Sequence, residues 1–341
     1  MPSSSKPLFF PRLVFWYATE KCDLKCKHCC YPPSGGRELN TREAKLLIDS
    51  LARVGVKALA FIGGEPILRD DIFELCYYCV ERGMTPHLIT KGKSLTRKDC
   101  ERFSRIGVWI TIGVDTFTHR TAGLICGVEE LPDISARTLE DCVELGIYKG
   151  TVSAILAPNL NEVLTTIDRV ARRGSRHVIF SFRPTGRGRE VWRRFMPSPE
   201  DHEKVLRDVA KGIAGGRWPL SEVFVYDPLF LRVLSGFNVK YDRVRACRIG
   251  DYMDIDSEGN VIPCLFAKAI RLGNILEEDL LKIRREMLEN VLLTSLKSPD
   301  NLKGKCSSCK YEWVCGGCRV RAYELTGDWF ASDPLCAYLP D

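Results

Sequence analysis

The sequence predicts an α/β protein, a partial barrel of six β/α units followed by a cysteine-rich C-terminal extension. Two observations predict this class. Short apolar segments alternate with amphipathic ones through the first half of the 341 residues, which is typical of parallel strands joined by right-handed helical crossovers. The 16 cysteines include groups at metal-ligand spacing near both ends of the chain. Six units are fewer than the eight that close a full barrel.

The predicted strands are apolar runs bounded by polar or glycine-containing turns. They are 13–17, 58–62, 87–90, 108–114, 152–156 and 177–182. The first helix, 41–54, begins at Asn40 and Glu43, which have the spacing of a capping box. Further helices are predicted over 71–82, from 96, from 135 and over 160–172. The predicted domains are a barrel over 1–190, a helical connection over 191–245 and the extension over 246–341.

Composition excludes several classes of protein. A hydrophobic content of 45% is enough for a core, and 28% charged residues argues against disorder. A net charge of +6 is too mild to indicate nucleic-acid binding. The sequence has no apolar run of about 18 residues, so no membrane span is expected. The N-terminus also lacks the apolar segment of a signal peptide. We therefore expect a cytoplasmic protein.

Three cysteines follow the first predicted strand. Cys22, Cys26 and Cys29 have the spacing C-x3-C-x2-C, at the strand end where α/β barrels place their chemistry. Three thiolates fill three of the four iron positions of a [4Fe–4S] cluster and leave one iron open. A zinc site or cysteines kept for packing are the weaker alternatives, because zinc loops favour C-x2-C pairs.

This spacing, with His28 before the last cysteine, resembles the signature of radical S-adenosylmethionine (SAM) enzymes. The resemblance implies that the open iron chelates the amino and carboxylate groups of SAM. It also implies that an electron from the reduced cluster cleaves SAM to a 5′-deoxyadenosyl radical. Enzymes of this family use a partial, six-unit barrel similar to the one predicted here. The resemblance also implies an electron donor of the ferredoxin or flavodoxin type.

Several residues at later strand ends resemble the SAM-binding positions of this family. The second strand ends in a motif similar to the one that binds the SAM amino group, formed by Gly63, Gly64, Glu65 and Pro66. Glu65 is then the carboxylate ligand or a support for the glycine backbone. Asp115 ends the fourth strand, where a serine common in relatives is missing. Asn159, after the fifth strand, is a SAM contact or an ordinary helix N-cap.

A basic loop follows the sixth strand and contains Arg183, Arg187, Arg189, Arg193 and Arg194. Arg183 is a further candidate for cofactor binding. Arginines bind carboxylates in a bidentate manner, so the loop suits an anionic substrate at the mouth of the barrel. The alternative is a solvated charge run. The segment resembles the same region of radical SAM enzymes of haem and d-type haem biosynthesis, and more loosely that of peptide-modifying relatives.

The C-terminal extension begins with a predicted hairpin, 252–255 and 260–263, between Cys247 and Cys264. A helix over 276–293 precedes five more cysteines: Cys306, Cys309, Cys315, Cys318 and Cys336. These seven resemble the SPASM extension, although Cys315-x2-Cys318 is one residue shorter than is common. A zinc ribbon would explain Cys306, Cys309, Cys315 and Cys318 alone.

The SPASM resemblance implies two auxiliary [4Fe–4S] clusters, and therefore three clusters in all. The outer one would be held by Cys306, Cys309, Cys315 and Cys336. The inner one would be held by Cys247, Cys264 and Cys318, with its fourth position completed by another side chain, water or substrate.

These resemblances predict an oxidoreductase that abstracts a hydrogen atom from an unactivated C–H bond and passes a second electron to an auxiliary cluster. The expected substrate is a carboxylate-bearing tetrapyrrole, as for the iron-coproporphyrin decarboxylases, which convert propionates to vinyl groups. The alternative is a peptide or protein maturase, although the 21 residues before Cys22 leave no room for a leader-binding domain. A non-catalytic Fe–S electron carrier is disfavoured, because a carrier needs no SAM pocket. The sequence identifies no catalytic side chain.

Overall fold

The fold is an open, mostly parallel sheet with helices packed against it, which confirms the predicted α/β class. The computed structural model describes residues 9–171, 174–237, 239, 247 and 249–340. The nine strands have the spatial order β7-β6-β5-β4-β3-β2-β1-β8-β9. They are β1 (Leu13–Thr19), β2 (Ala58–Gly63), β3 (Thr85–Thr90), β4 (Trp109–Gly113), β5 (Tyr148–Ile155), β6 (Arg176–Ser181), β7 (Val223–Tyr226), β8 (Asp254–Ile255) and β9 (Val261–Ile262).

The first seven strands pair in parallel, each with the next in the chain. The helices that cover them are α1 (Thr41–Arg53), α2 (Ile72–Glu81), α3 (Arg97–Ile106), α4 (His119–Cys126), α5 (Leu131–Glu144), α6 (Val163–Ala171), α7 (Gly188–Phe195), α8 (Pro199–Ala214) and α9 (Pro228–Leu234). The capping box of α1 is present, since Asn40 and Glu43 each accept a hydrogen bond from the other's backbone N–H. None of the helices in the described ranges is long and apolar enough to cross a membrane.

The seventh strand differs from the sequence prediction. Residues 191–245 were expected to be helical, but β7 adds a parallel strand beyond β6. Its four apolar residues are too few for periodicity to separate a strand from a helix. Parts of the predicted connection, 238 and 240–245, lie outside the described residues, as does 172 at the end of the helix predicted after the fifth strand.

The C-terminal extension continues the sheet. β8 pairs in parallel with β1 through Trp16 and Ile255, and β9 returns antiparallel to β8, so the predicted hairpin is present. The helix predicted over 276–293 is two helices, because the backbone of Asn290 is extended and its side chain caps the second. The remaining helices are α10 (Leu280–Glu289), α11 (Val291–Lys297) and α12 (Arg319–Thr326).

One hydrophobic core joins the sheet to the extension. Trp16 of β1 and Phe61 of β2 are fully buried in it, together with Ile255 of β8 and Ile283 of α10. Burial of each such side chain stabilises the fold by about 1.5–3 kcal/mol. The extension is therefore held against the first strand, next to the end from which the Cys22–Cys29 loop leaves.

Candidate cofactor and cluster sites

A cavity of about 290 Å³ opens at the C-terminal end of the parallel strands, and we call it the cofactor cavity. Its wall contains all three cysteines of the N-terminal motif, Cys22, Cys26 and Cys29. It also contains Gly63, Gly64 and Glu65 from the end of β2. The two motifs that the sequence places on neighbouring strand ends therefore meet at one site.

The two glycines allow this approach. The N–H groups of Gly64 and Glu65 donate to the carbonyl oxygens of Thr19 and Lys21, at 2.8 and 2.7 Å. A Cβ on Gly63 would lie 2.2 Å from the oxygen of Thr19, and one on Gly64 would lie 2.1 Å from that of Lys21. Any side chain would push the β2 end away from the start of the cysteine loop.

Glu65 has a buried carboxylate oxygen with no partner. Its Oε2 accepts from the Thr90 hydroxyl at 2.7 Å and from the Lys91 N–H at 3.2 Å. Its Oε1 is buried and has no hydrogen-bond partner within the described residues. Burial raises the pKa of Glu65 to about 7. A buried carboxylate on a cavity wall is suited to the N–H donors of an amino group, because they would satisfy the unpartnered oxygen and favour the ionised form.

Asp115 lies on the wall of the cofactor cavity, beside two basic groups. Lys91 Nζ is 2.6 Å from its Oδ2 and His28 Nε2 is 3.5 Å away. Burial opposes ionisation of Asp115, but the charges of Lys91 and His28 outweigh it and lower its pKa to about 2. Asp115 is therefore ionised and already paired with Lys91.

Asn159 lies outside the wall of the cofactor cavity. Its Nδ2 donates to the carbonyl oxygens of Asp115 and Ala154, at 2.8 and 2.9 Å, and its Oδ1 accepts from the Leu156 N–H at 2.8 Å. These contacts are those of a residue that braces the backbone after β5, which is close to the capping role considered as the alternative.

The basic loop divides into three environments. Arg183 is buried and donates to Cys318 Sγ at 3.3 Å and to two backbone carbonyls. Arg187 lies on the wall of the cofactor cavity, with a buried Nε that has no partner in the described part of the chain. Arg189 forms a bidentate ion pair with Glu324 and lies on neither cavity wall described here, which corrects the prediction that it lines the barrel mouth. Arginines that are close in sequence lie in different environments because α7 begins at Gly188 and changes the direction of the chain.

Four of the C-terminal cysteines line one small cavity of about 20 Å³. They are Cys306, Cys309, Cys315 and Cys336. Cys318 points elsewhere, towards Arg183. Burial raises the pKa of both Cys247 and Cys264. The four cysteines that the SPASM resemblance assigns to the outer cluster thus lie around one cavity, and the three that it assigns to the inner cluster lie outside its wall.

Within the described ranges, no three Cys, His, Asp or Glu side chains converge on a point where a single metal ion would bind. A [4Fe–4S] cluster bonds each thiolate to a different iron, so its ligands surround a volume instead of a point. The grouped thiols around two cavities fit such clusters, and the free Oε1 of Glu65 fits the amino group of SAM.

A buried ion-pair network holds the C-terminal cysteines, and sequence reasoning missed it. Arg321 is fully buried and pairs with Asp227 at 3.0 Å and Asp333 at 2.6 Å. Asp333 also accepts from the Cys318 N–H at 2.7 Å. Asp227 follows the unpredicted strand β7, so the only signal in the sequence was the pair of arginines after Cys318.

A second cavity, of about 670 Å³, adjoins the first, and we call it the lumen cavity. The two share the wall residues Phe15, Phe180, Leu265 and Phe266. Eight aromatic side chains line it, four of them from β1, β6 and β7, and Cys264 lies on its wall. Three arginines also line it, namely Arg12, Arg176 and Arg284. They are far apart in sequence and belong to no motif.

Comparison with known proteins identifies the family. The radical SAM superfamily model matches residues 16–170, and the SPASM model, an iron-sulfur cluster-binding domain, matches 247–310. The chain is 31% identical over 354 residues to AdoMet-dependent heme synthase of Methanosarcina barkeri, with 97% of each chain covered. The chain belongs to the radical SAM superfamily. It is a radical SAM enzyme with a SPASM domain, as the motifs indicated.

Other relatives of this radical SAM protein have different named activities. It is 27% identical to Fe-coproporphyrin III synthase of M. barkeri, over 95% of this chain and 85% of the relative. It is 26% identical to PqqA peptide cyclase of Rhodopseudomonas palustris, over 97% of this chain and 88% of the relative. The crystal structure of Streptococcus suis SuiB bound to SAM superposes with a TM-score of 0.74 at 19% identity, covering 96% and 78% of the two chains. That likeness supports the fold alone.

Proposed function

We propose that this radical SAM enzyme removes a hydrogen atom from a side chain of a carboxylate-bearing tetrapyrrole, with net oxidation of the substrate. The single observation that carries the proposal is the lumen cavity, which is large, aromatic and lined by three arginines. Aromatic side chains bind a planar ring system through their faces, and guanidinium groups bind carboxylates. A peptide substrate would not require this combination.

The first set of proposed ligands is the cysteine loop after β1. Cys22, Cys26 and Cys29 hold a [4Fe–4S] cluster at the cofactor cavity, and its open iron is left for SAM. Glu65 Oε1 binds the SAM amino group, with Gly63, Gly64 and Pro66 shaping the surface beside it. The chemistry that the reduced cluster and SAM supply together is removal of a hydrogen atom from an unactivated carbon.

Asp115 and Arg183 act near SAM in this proposal, but the charged group of each already has a partner within the protein. Asp115 is paired with Lys91 and keeps that ammonium group against the cavity wall. Arg183 has its guanidinium on Cys318 and on backbone carbonyls. Asn159 supports the backbone of Asp115 and acts on the cofactor site only through it.

The second set of proposed ligands lies in the C-terminal extension. Cys306, Cys309, Cys315 and Cys336 hold an outer auxiliary cluster, and Cys247, Cys264 and Cys318 hold an inner one. Cys264 lies on the wall of the lumen cavity. The inner cluster would therefore border the substrate, where it is suited to accept the second electron.

The names of relatives support a tetrapyrrole substrate. Relatives covered over most of their length include AdoMet-dependent heme synthase, Fe-coproporphyrin III synthase and, from Dinoroseobacter shibae, pre-heme d1 synthase. Peptide-modifying relatives have similar identities, since mycofactocin maturase MftC is 28% identical over 338 residues, so the lumen cavity and not the identity favours the tetrapyrrole. We place the substrate in the lumen cavity, with its reacting side chain towards the four residues that the two cavities share.

The test is anaerobic reconstitution with iron, sulfide and SAM, followed by incubation with iron-coproporphyrin III and a reductant. The expected product has lost carbon dioxide and two hydrogens for each propionate converted to vinyl, with one equivalent of 5′-deoxyadenosine per propionate. Protein with Cys22→Ala should give no product and serves as the control. If the porphyrin is unchanged while a precursor peptide is modified, the substrate assignment is wrong and the maturase alternative replaces it.

A further inference from the structure

Arg284 is a buried arginine with no carboxylate partner among the described residues. It is 6% exposed. Its Nε donates to the Phe9 carbonyl at 3.0 Å, and its two Nη atoms lie 3.4–3.5 Å from the carbonyls of Gly250 and Asp251 and from Met287 Sδ. The Nη contacts are longer than good hydrogen bonds. The guanidinium has five N–H donors, so most of its bonding capacity is poorly used.

An arrangement of this kind is unfavourable unless an anion completes it. Burying a charge without a partner costs free energy, and here burial lowers the pKa of Arg284 despite the nearby charge of Asp251. Asp251 is not its counter-ion, since that carboxylate pairs with Lys297 Nζ at 2.8 Å. A carboxylate from a ligand would supply both the missing charge and bidentate acceptors.

The surroundings of Arg284 point to a ligand in the lumen cavity. Arg12 and Arg176 line the same cavity, and neither forms an ion pair in the part of the chain that the structure describes. Besides Asp251, the acidic residue on the wall is Asp254, and burial raises its pKa to about 7. The wall therefore carries an excess of positive charge, which raises the local concentration of an anion.

The arginines and the aromatic residues next to the cofactor cavity lie at different depths of the lumen cavity. Arg12 directly precedes β1, and Arg176 is the first residue of β6, whereas Phe180 lies four residues further along that strand and borders the cofactor cavity. Strands rise about 3.3 Å per residue, so roughly 13 Å separates the backbone positions of Arg176 and Phe180. Phe180 packs beside Tyr226 and Phe266, with ring centroids 5.3 and 5.8 Å away.

We propose that Arg284, with Arg12 and Arg176 on the same cavity wall, forms a subsite for a substrate carboxylate that does not react. This inference rests on the proposed function and deepens it. The ring system lies against Phe180 and its aromatic neighbours, so its far carboxylates reach the arginines while the reacting side chain stays next to the cofactor cavity. The subsite thus sets which end of an asymmetric molecule faces SAM, and it selects substrates with a carboxylate at that distance.

The experiment is an anaerobic titration of purified protein with iron-coproporphyrin III, followed by the porphyrin absorbance. It measures binding and requires no turnover. Loss of a charged hydrogen bond costs about 1.5–3 kcal/mol, so Arg284→Gln should weaken binding roughly tenfold to a hundredfold. Arg284→Lys should recover part of the loss, because it keeps the charge. The matched control is Arg217→Gln, which removes an exposed arginine paired with Asp168 and lies on neither cavity wall.

A second measurement uses the wild-type protein and so does not depend on whether Arg284→Gln folds. The tetramethyl ester of iron-coproporphyrin III keeps the ring and removes the charges. It should bind at least tenfold more weakly than the free acid, and salt should weaken only the free acid. The double variant of Arg12→Gln and Arg176→Gln, at two exposed positions, should reduce this preference for the acid.

The outcomes separate the two proposals. If the wild type binds the porphyrin and neither Arg284→Gln nor esterification changes the affinity, the carboxylate subsite is wrong and the tetrapyrrole function stands. If the wild type binds SAM normally but binds no porphyrin, the proposed function fails and the subsite falls with it. A folded Arg284→Gln protein that loses affinity for the acid but not for the ester supports both.

Discussion

The loop after β1 brings three cysteines together within eight residues, whereas the C-terminal extension gathers seven from positions 247 to 336. The first site is held by backbone contacts, since the N–H groups of Gly64 and Glu65 bond to the carbonyls of Thr19 and Lys21. The second depends on side chains, because Arg321 joins Asp227 after β7 to Asp333 beside Cys318. In this protein the local motif is supported at a strand end, whereas buried ion pairs join the segments that carry the dispersed one.

The largest expected effect is loss of the N-terminal cluster with the C-terminal clusters kept. Replacing Cys22, Cys26 and Cys29 together by Ala should abolish reductive cleavage of SAM and lower the iron content from about twelve to about eight per chain. The C-terminal clusters should remain, because their proposed ligands lie on other segments of the chain. The measurements are 5′-deoxyadenosine formation and iron analysis after reconstitution. Persistent 5′-deoxyadenosine would contradict the assignment, and four irons with bound zinc in the wild type would favour the zinc ribbon.

The next prediction is the opposite case, in which the C-terminal site is lost and the N-terminal site is kept. Arg321→Met leaves Asp227 and Asp333 buried without their cation, and breaking a buried pair in this way costs about 3–5 kcal/mol. We expect a lower melting temperature and loss of C-terminal iron, while SAM still binds at the first site. Arg217→Met is the control, because it breaks an exposed pair worth at most about 1 kcal/mol. If both variants retain full iron content and equal stability, the network does not organise the extension.

A third prediction tests the first region without removing its cluster. Glu65→Gln loses the negative charge proposed to bind the SAM amino group, so SAM affinity should fall roughly tenfold to a hundredfold. The iron content should not change. Equilibrium dialysis with labelled SAM measures the effect, and Glu74→Gln, which loses only an exposed contact to Lys45, is the control. Unchanged affinity would leave Glu65 as a support for the glycine backbone.

The smallest expected effect concerns the contact between the two regions. Arg183 donates to Cys318 Sγ, and hydrogen bonds and positive charge near cluster sulfurs raise a reduction potential. Arg183→Met should therefore lower the potential of the inner cluster by about 60 mV, a tenfold change in a one-electron equilibrium. A redox titration followed by electron paramagnetic resonance measures this. Arg187→Met, without a contact to Cys318, should leave the potential in place, and an equal shift in both would exclude a specific bond.

Prediction from sequence succeeded where the signal is local. Strand ends, the capping box at Asn40 and the hairpin around Gly259 each depend on residues close together in the chain, and all are present. The strand β7 was missed because four apolar residues carry no usable period. Arg189 was placed on the cavity by its neighbours in sequence, but the turn into α7 directs it to Glu324.

By itself, the sequence determined the family and the fold class, because motif spacing and hydrophobic alternation are short-range properties. Only the tertiary structure decided which arginines line the lumen cavity. Arg12, Arg176 and Arg284 have no shared motif, and they meet because β1, β6 and α10 pack around one cavity. It also decided that Asn159 braces the backbone. Contacts between distant segments follow from packing of the whole chain, which no single stretch of residues encodes.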